Sequence, residues 1–263
     1  MELEVEGRNA FAATGGRPFD PTRPAVAFVH GAGGDHSVWA LQTRYFAHHG
    51  FSVLAVDLPG HGRSKPPALD SVPALADWLL ACLDAAGAER WSLAGHSLGA
   101  LVALEAAARA PRRTAALALL GVNYPMAVHD DLLASAAANE HRALELISAW
   151  GHSHGAHLGR NRVPGLWMVG ASLRLLERAP EGTLDADLRA AAGYRDGLDA
   201  AAAIACPTLL LLGHRDRMTR PASARGLAEA IADARVEVLP DCGHMIMQER
   251  PDEALRALID HFT

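Results

Sequence analysis

Gly95-His96-Ser97-Leu98-Gly99 stands between a short apolar segment, Trp91-Ser92-Leu93-Ala94, and an alanine- and leucine-rich run from Ala100 to Ala108. A G-x-S-x-G pentapeptide between a strand-like and a helix-like segment predicts a sharp turn that exposes the serine hydroxyl. Such a turn strains the serine backbone and crowds the residues two places to either side, where only glycine fits. Gly95 and Gly99 supply that room. Ser97 then falls at a helix N-terminus, where free amides and the helix dipole favour developing negative charge. The pentapeptide alone fits a glycine-flanked turn with an ordinary serine cap equally well, so the rest of the chain has to decide.

The 263 residues allow one large α/β domain with an insertion or two small domains, and half of them are apolar, enough for a sizeable core. The net charge of −6 is spread along the chain without a basic stripe, which argues against nucleic acid and anionic membrane surfaces as partners. Cys82, Cys206 and Cys242 are odd in number and widely spaced, so neither a disulfide framework nor a C-x-x-C site is expected. The acidic start, Met1 to Glu6, lacks a signal-peptide core, and no apolar run has the length of a membrane span. The expectation is a cytoplasmic protein.

Outward from the pentapeptide, the pattern alternates strands and helices. Residues 2–6 and 9–13 read as an edge hairpin, and the continuous apolar runs 25–29, 51–56, 115–120 and 208–212 read as buried parallel strands. Helices are expected over 38–48, 72–86, 98–110, 221–233 and 251–262, with a short strand at 236–239. The connection after Leu120 is far longer than a crossover requires, and its segment from about Tyr124 to Ala203 is helical in pattern, which reads as an inserted cap. The expected architecture is α/β: a mostly parallel sheet of about eight strands, helices on both faces and a helical cap. Its divisions are residues 1–123, 124–203 and 204–263.

In such sheets ligands bind beyond the carboxyl ends of the strands. The loop His30-Gly31-Ala32-Gly33-Gly34-Asp35, Ser97, Asp216 and His244 all follow predicted strands. A serine hydroxyl needs a base, and the base needs an orienting group. His244 is the candidate base and Asp216 the candidate orienter, with Asp57 and Asp241 as rivals. Asp241 is too close in sequence to His244 to reach its far ring nitrogen comfortably.

These fragments, with Asp57-Leu58-Pro59-Gly60-His61-Gly62-Arg63-Ser64 and Gly213-His214-Arg215-Asp216, resemble the α/β-hydrolase fold superfamily. Over nearly the whole chain the likeness is to its cap-bearing group of small esterases and carbon–carbon bond hydrolases. The resemblance implies a Ser97–His244–Asp216 triad, a structural role for Asp57, and an oxyanion hole made by the Ala32 and Leu98 amides. His96 and His30 are expected to organise the elbow and the loop. It implies hydrolysis of a small carboxylic ester through an acyl-enzyme, without cofactor or metal. The expected partner is a small ester or related acyl substrate, with a homodimer allowed.

Other outcomes use the same residues: cleavage of a carbon–carbon bond in a dienoic ketone acid, lactone hydrolysis or acyl transfer. A ligand-binding receptor that keeps the fold is the non-enzymatic alternative. Met245 after His244, where the carbon–carbon hydrolases often carry Trp, counts against that reaction. Arg160, Arg162 and Arg174 in the cap could still meet a substrate carboxylate. Trp39, Met126, Trp150, Trp167, Met168 and Met245 are candidates for the pocket lining, and the same apolar residues suit simple packing of the cap. The histidine-rich stretch 151–157 reads as a loop rather than a metal site, and Cys242 as a packed thiol.

Overall fold

The computed structural model describes residues 1–160, 165 and 167–263. Among them, eight strands form one sheet: β1 (Glu2–Val5), β2 (Arg8–Ala13), β3 (Ala25–Val29), β4 (Ser52–Val56), β5 (Trp91–His96), β6 (Thr114–Leu120), β7 (Thr208–Gly213) and β8 (Ala234–Leu239). Their order is β1-β2-β4-β3-β5-β6-β7-β8. The β1–β2 hairpin joins β4 antiparallel, and every other pairing is parallel.

Side-chain alternation explains why the buried strands carry unbroken apolar runs. Successive residues point to opposite sheet faces, so Val26 and Phe28 enter one core while Ala25, Ala27 and Val29 enter the other. Leu209 and Leu211 are divided from Leu210 and Leu212 in the same way. Helices α1 (Ala40–His48), α2 (Val72–Ala85) and α3 (Leu98–Arg109) return the chain between strands. Phe46 of α1 packs on one face, and Leu79 of α2 and Leu101 of α3 pack on the other. The Ser71 hydroxyl caps α2 by accepting from the Ala74 amide, and Pro73 occupies the first turn, where a missing N–H costs nothing.

Between β6 and β7 run α4 (Asp130–Ala137), α5 (His141–Gly151), α6 (His154–His157), α7 (Met168–Leu176), α8 (Thr183–Gly193) and α9 (Gly197–Ala202). Leu132, Ala136, Ala143, Leu184 and Leu188 form a separate small core within this excursion. The chain closes with α10 (Arg225–Ala230), α11 (Ile246–Glu249) and α12 (Pro251–Phe262). No described helix is long and apolar enough to cross a membrane.

Several boundaries differ from the sequence expectation, two of them instructively. Strand β5 continues through Gly95 and His96, because its partner β6 pairs with both. The helix expected over 221–233 is a 3-10 turn, Pro221–Ala224, followed by α10, which stops at Ala230. Ile231 then turns extended into the core, and the chain pairs with β7 from Ala234 onward.

All parallel strands end toward the same edge, and the turn after β5 is the tightest feature there. Ser97 has φ 55° and ψ −120°, a left-handed-side conformation that costs a non-glycine residue about 1–3 kcal/mol. A Cβ on Gly95 would lie 2.1 Å from the Gly99 carbonyl oxygen, and one on Gly99 would lie 2.3 Å from the His30 carbonyl oxygen. Both obstacles are backbone atoms and cannot swing aside. Gly99→Ala is therefore expected to lower stability by about 3 kcal/mol, the upper part of the usual overpacking range. Denaturant unfolding of the two chains, compared by midpoint, checks this.

Candidate active site

The Ser97 turn is locked to its neighbours by short contacts. The Ser97 amide donates to the Leu120 carbonyl of β6 at 2.9 Å, and α3 begins at once with Leu98. The first amides of a helix have no intrahelical acceptor, so the Leu98 end of α3 presents free donors beside the serine. Gly31 packs against the turn so closely that a Cβ there would sit 3.1 Å from Ser97 Cβ and 2.9 Å from His96 Nδ1.

His244 reaches the site from the loop after β8. Its Nδ1 lies 2.8 Å from Asp216 Oδ2, in the loop after β7. Because the partner is a carboxylate, Nδ1 carries the proton and donates, which leaves Nε2 as the basic nitrogen. Asp216 is buried and well supplied with donors. Oδ1 accepts from the Met218 and Thr219 amides at 2.8 Å each, and Oδ2 accepts from the Thr219 hydroxyl at 2.7 Å. Burial alone would raise its pKa. The facing imidazole and these hydrogen bonds outweigh burial and hold it below the ordinary carboxylate value. Asp216 therefore stays ionised down into acid pH. Gly121, at φ 57°, lies against the imidazole, since a Cβ there would be 3.1 Å from His244 Nδ1.

The rival carboxylates are occupied elsewhere. Asp241 is exposed and pairs with Arg215 at 3.2 Å. Asp57 accepts from the His36 amide and ring through Oδ1, and from the Arg63 amide through Oδ2. With Asp35, this is the one cluster of metal-ligating type among the described residues. Its internal hydrogen bonds tie together the loops after β3 and β4.

Two buried histidines shape the loops. His96 donates from Nε2 to the His244 carbonyl at 2.9 Å, and burial with His244 alongside pushes its pKa down to about 3. His30 accepts the Leu58 N–H through Nε2, so its Nδ1 donates to the Gly31 carbonyl at 2.8 Å. Burial, with the His61 ring 4.8 Å away, drops its pKa to about 4. Both rings are neutral and serve as fixed struts. Cys242 is buried, which raises its thiol pKa and leaves it unreactive.

A cavity of about 580 Å³ opens over Ser97 and His244, a size that suits a small organic ligand. Ala32 and Leu98 line it, as do Met126, Trp150 and Met245. Leu132, Ile147, Leu175 and Leu188 from the β6–β7 excursion complete a largely apolar wall that sequence periodicity did not separate from packing. The three remaining pocket candidates lie elsewhere. Trp39 is fully buried against Phe28 beneath the sheet, because the 3-10 turn His36–Trp39 points it inward. Trp167 is 73% exposed and lies over Gly170, whose missing side chain makes room for the ring. Met168 is buried but lines a second groove, with Arg160 and Glu249. Of the arginines considered for a substrate carboxylate, Arg160 lines that second groove, Arg174 pairs with Glu177 at 2.5 Å, and Arg162 falls outside the described residues. Two arginines that sequence reasoning passed over, Arg217 and Arg220, line the cavity over Ser97, and no ion pair of either is found among the described residues.

A serine on a strained turn, an imidazole held by a buried carboxylate and amides at a helix start form a set able to activate a hydroxyl and stabilise an oxyanion. The sequence pattern of the alpha/beta hydrolase fold family matches residues 24–251. A pimeloyl-[acyl-carrier protein] methyl ester esterase of Chromobacterium violaceum is 31% identical, over 90% of this chain and 94% of its own length. An (E)-2-((N-methylformamido)methylene)succinate hydrolase of Acinetobacter baylyi is 25% identical, over 89% of this chain and 88% of its own. The crystal structure of an enol-lactonase from Burkholderia xenovorans superposes with a TM-score of 0.87 over 99% of this chain and 98% of its own; at 24% identity this is a likeness of fold.

The assignment of the orienting carboxylate is open to a direct test. The His244 Nδ1 proton, shared with a carboxylate, is expected as a strongly downfield NMR resonance in the native chain and in Asp241→Asn. It should vanish in Asp216→Asn.

Proposed function

The chain belongs to the alpha/beta hydrolase fold family and is a hydrolase, and we propose that it cleaves a small carboxylic ester through an acyl-enzyme on Ser97. The single observation that carries this reading is the 2.8 Å pairing of His244 Nδ1 with buried Asp216, beside a serine held at φ 55°. His244 Nε2 takes the Ser97 proton as the hydroxyl attacks the ester carbonyl. The developing oxyanion is held by the Ala32 and Leu98 amides, each donor supplying about 3 kcal/mol of transition-state stabilisation. His244 then protonates the departing alcohol. A water deprotonated by the same nitrogen attacks the acyl-enzyme and releases the acid. Asp216 keeps the imidazole in the required tautomer and stabilises the imidazolium that forms in each step.

In this reading the segment 124–203 acts as a cap whose apolar residues hold the acyl chain. Arg217 and Arg220 favour a more specific version: an acyl group whose far end carries a carboxylate, as in a half-ester of a dicarboxylic acid. The esterase and succinate-derivative hydrolase named among the relatives are compatible with it, and so are lactone and carbon–carbon substrates.

Fluorophosphonate labelling, competed by neutral esters, half-esters, lactones and dienoic acids, tests the class. Ser97→Ala should remove the label and lower kcat on the order of 10⁵-fold or more. A labelled and active Ser97→Ala protein would end the reading. Arg217→Ala with Arg220→Ala should raise KM for a half-ester roughly tenfold relative to its neutral counterpart. Equal effects on both substrates would remove the carboxylate subsite.

A further inference from the structure

Asp187 is a fully buried carboxylate on α8 that the triad does not use. Its Oδ2 accepts from the Gly33 amide at 2.7 Å and from His61 Nε2 at 2.8 Å. His61 belongs to the loop after β4, and its Nδ1 lies 3.0 Å from the Pro59 carbonyl. Both ring nitrogens thus face acceptors, so the ring holds two protons and a positive charge against Asp187. Asp187 Oδ1 has no hydrogen-bond partner among the described residues. A half-satisfied buried pair adds little stability, which directs attention to what the pair holds in place.

It holds the oxyanion loop. The Gly31 carbonyl accepts from His30 Nδ1 at 2.8 Å and from the Gly34 amide at 3.1 Å, which orients the Gly31–Ala32 peptide and hence the Ala32 N–H. The next peptide is held through its Gly33 N–H, which donates to Asp187 Oδ2. Leu176 and Leu184 press on Gly33, where a Cβ would lie 2.6 Å from one and 3.4 Å from the other. The β6–β7 excursion also grips the base loop, since the Gly151 carbonyl accepts from the His244 and Met245 amides at 3.0 Å each.

We propose that Asp187, with His61 as its counter-ion, is a positioning residue that aims the Ala32 amide at the oxyanion and couples the oxyanion hole to the seating of α8 on the core. This rests on the serine hydrolase reading above.

The charge of His61 makes the coupling pH-dependent. Burial alone would favour the neutral ring, but the Asp187 carboxylate and the Pro59 carbonyl outweigh it and raise the His61 pKa. The other titratable ring against it is His30, which is neutral, with Asp57 beyond it. A raised imidazole pKa contributes stability that is complete below the ordinary value and is lost as pH rises through the raised one. Above that point the His61 ring has one donor for two acceptors, the pairing with Asp187 or with the Pro59 carbonyl is lost, and the loop loosens.

Asp187→Asn and His61→Gln in the full chain, with folding followed by circular dichroism, provide the test. The readouts are turnover of a p-nitrophenyl ester and affinity for a phenylethyl trifluoromethyl ketone, whose hemiketal oxygen occupies the oxyanion hole. In Asp187→Asn, kcat should fall about 100-fold, the scale of a 1 Å misplacement, with KM changed by no more than about threefold. Ketone affinity should fall in parallel with kcat/KM. In the native chain ketone affinity should decline over the pH range, above the ordinary imidazole value, in which the His61 ring, followed by NMR, loses its proton, and this decline should be absent in Asp187→Asn. A folded Asp187→Asn protein with native kcat and ketone affinity, or with a loss confined to KM or Tm, overturns the proposal. If neither variant folds, ketone affinity that stays flat through the His61 titration in the native chain overturns it. A native chain that fluorophosphonate does not label instead defeats the serine hydrolase reading itself.

Discussion

The strained backbone at Ser97 is the constraint on which the rest of the structure depends. A residue at φ 55° and ψ −120° persists only when its surroundings leave it no alternative. Here β6 takes the Ser97 amide, α3 starts at the next residue, and the glycines at 95 and 99 let backbone meet backbone. The His30 carbonyl closes on Gly99, which brings the loop after β3 against the helix start. The turn thereby fixes the separation of β3, β5 and α3, the three elements that bound the serine end of the cavity.

Around that turn the charges are sorted by burial and pairing. Asp216 is kept anionic by its donors, whereas His30 and His96 are kept neutral because burial outweighs any nearby negative charge. His61 sits close to His30 yet has the opposite tendency, since it alone faces a carboxylate and a carbonyl. Four imidazoles, at 30, 61, 96 and 244, thus take distinct roles in one small volume through their hydrogen-bond partners. The excursion between β6 and β7 supplies part of this order, through Asp187 and the Gly151 carbonyl.

Much of this was legible in the sequence. Unbroken apolar runs marked the buried strands, and the alternation with helical segments marked the sheet. The strand-end positions of residues 30–35, 97, 216 and 244 marked one edge of it. Asp216 was preferred to Asp241 because it follows its own strand, whereas Asp241 stands only three residues from His244; the structure seats Asp216 on His244 Nδ1 and turns Asp241 to Arg215 at the surface. The pocket was only half legible. An apolar residue near a site looks the same whether it faces a ligand or a core, so Trp39 and Met126 could not be told apart. Trp39 went beneath the sheet and Met126 went to the cavity wall. Asp187 carried no signal, since an aspartate in an ordinary helical pattern reads as solvent-exposed. Its burial depends on where α8 lands, which is a property of the tertiary fold.

In the proposed reaction Ser97 carries the acyl group during turnover. Mixing the protein with a p-nitrophenyl ester, quenching in acid within the first turnover and mapping the adduct by mass spectrometry tests it most directly. One acyl group is expected on the peptide containing residues 95–99, attached at Ser97. Turnover with no adduct, or with the acyl group on another residue, would contradict it.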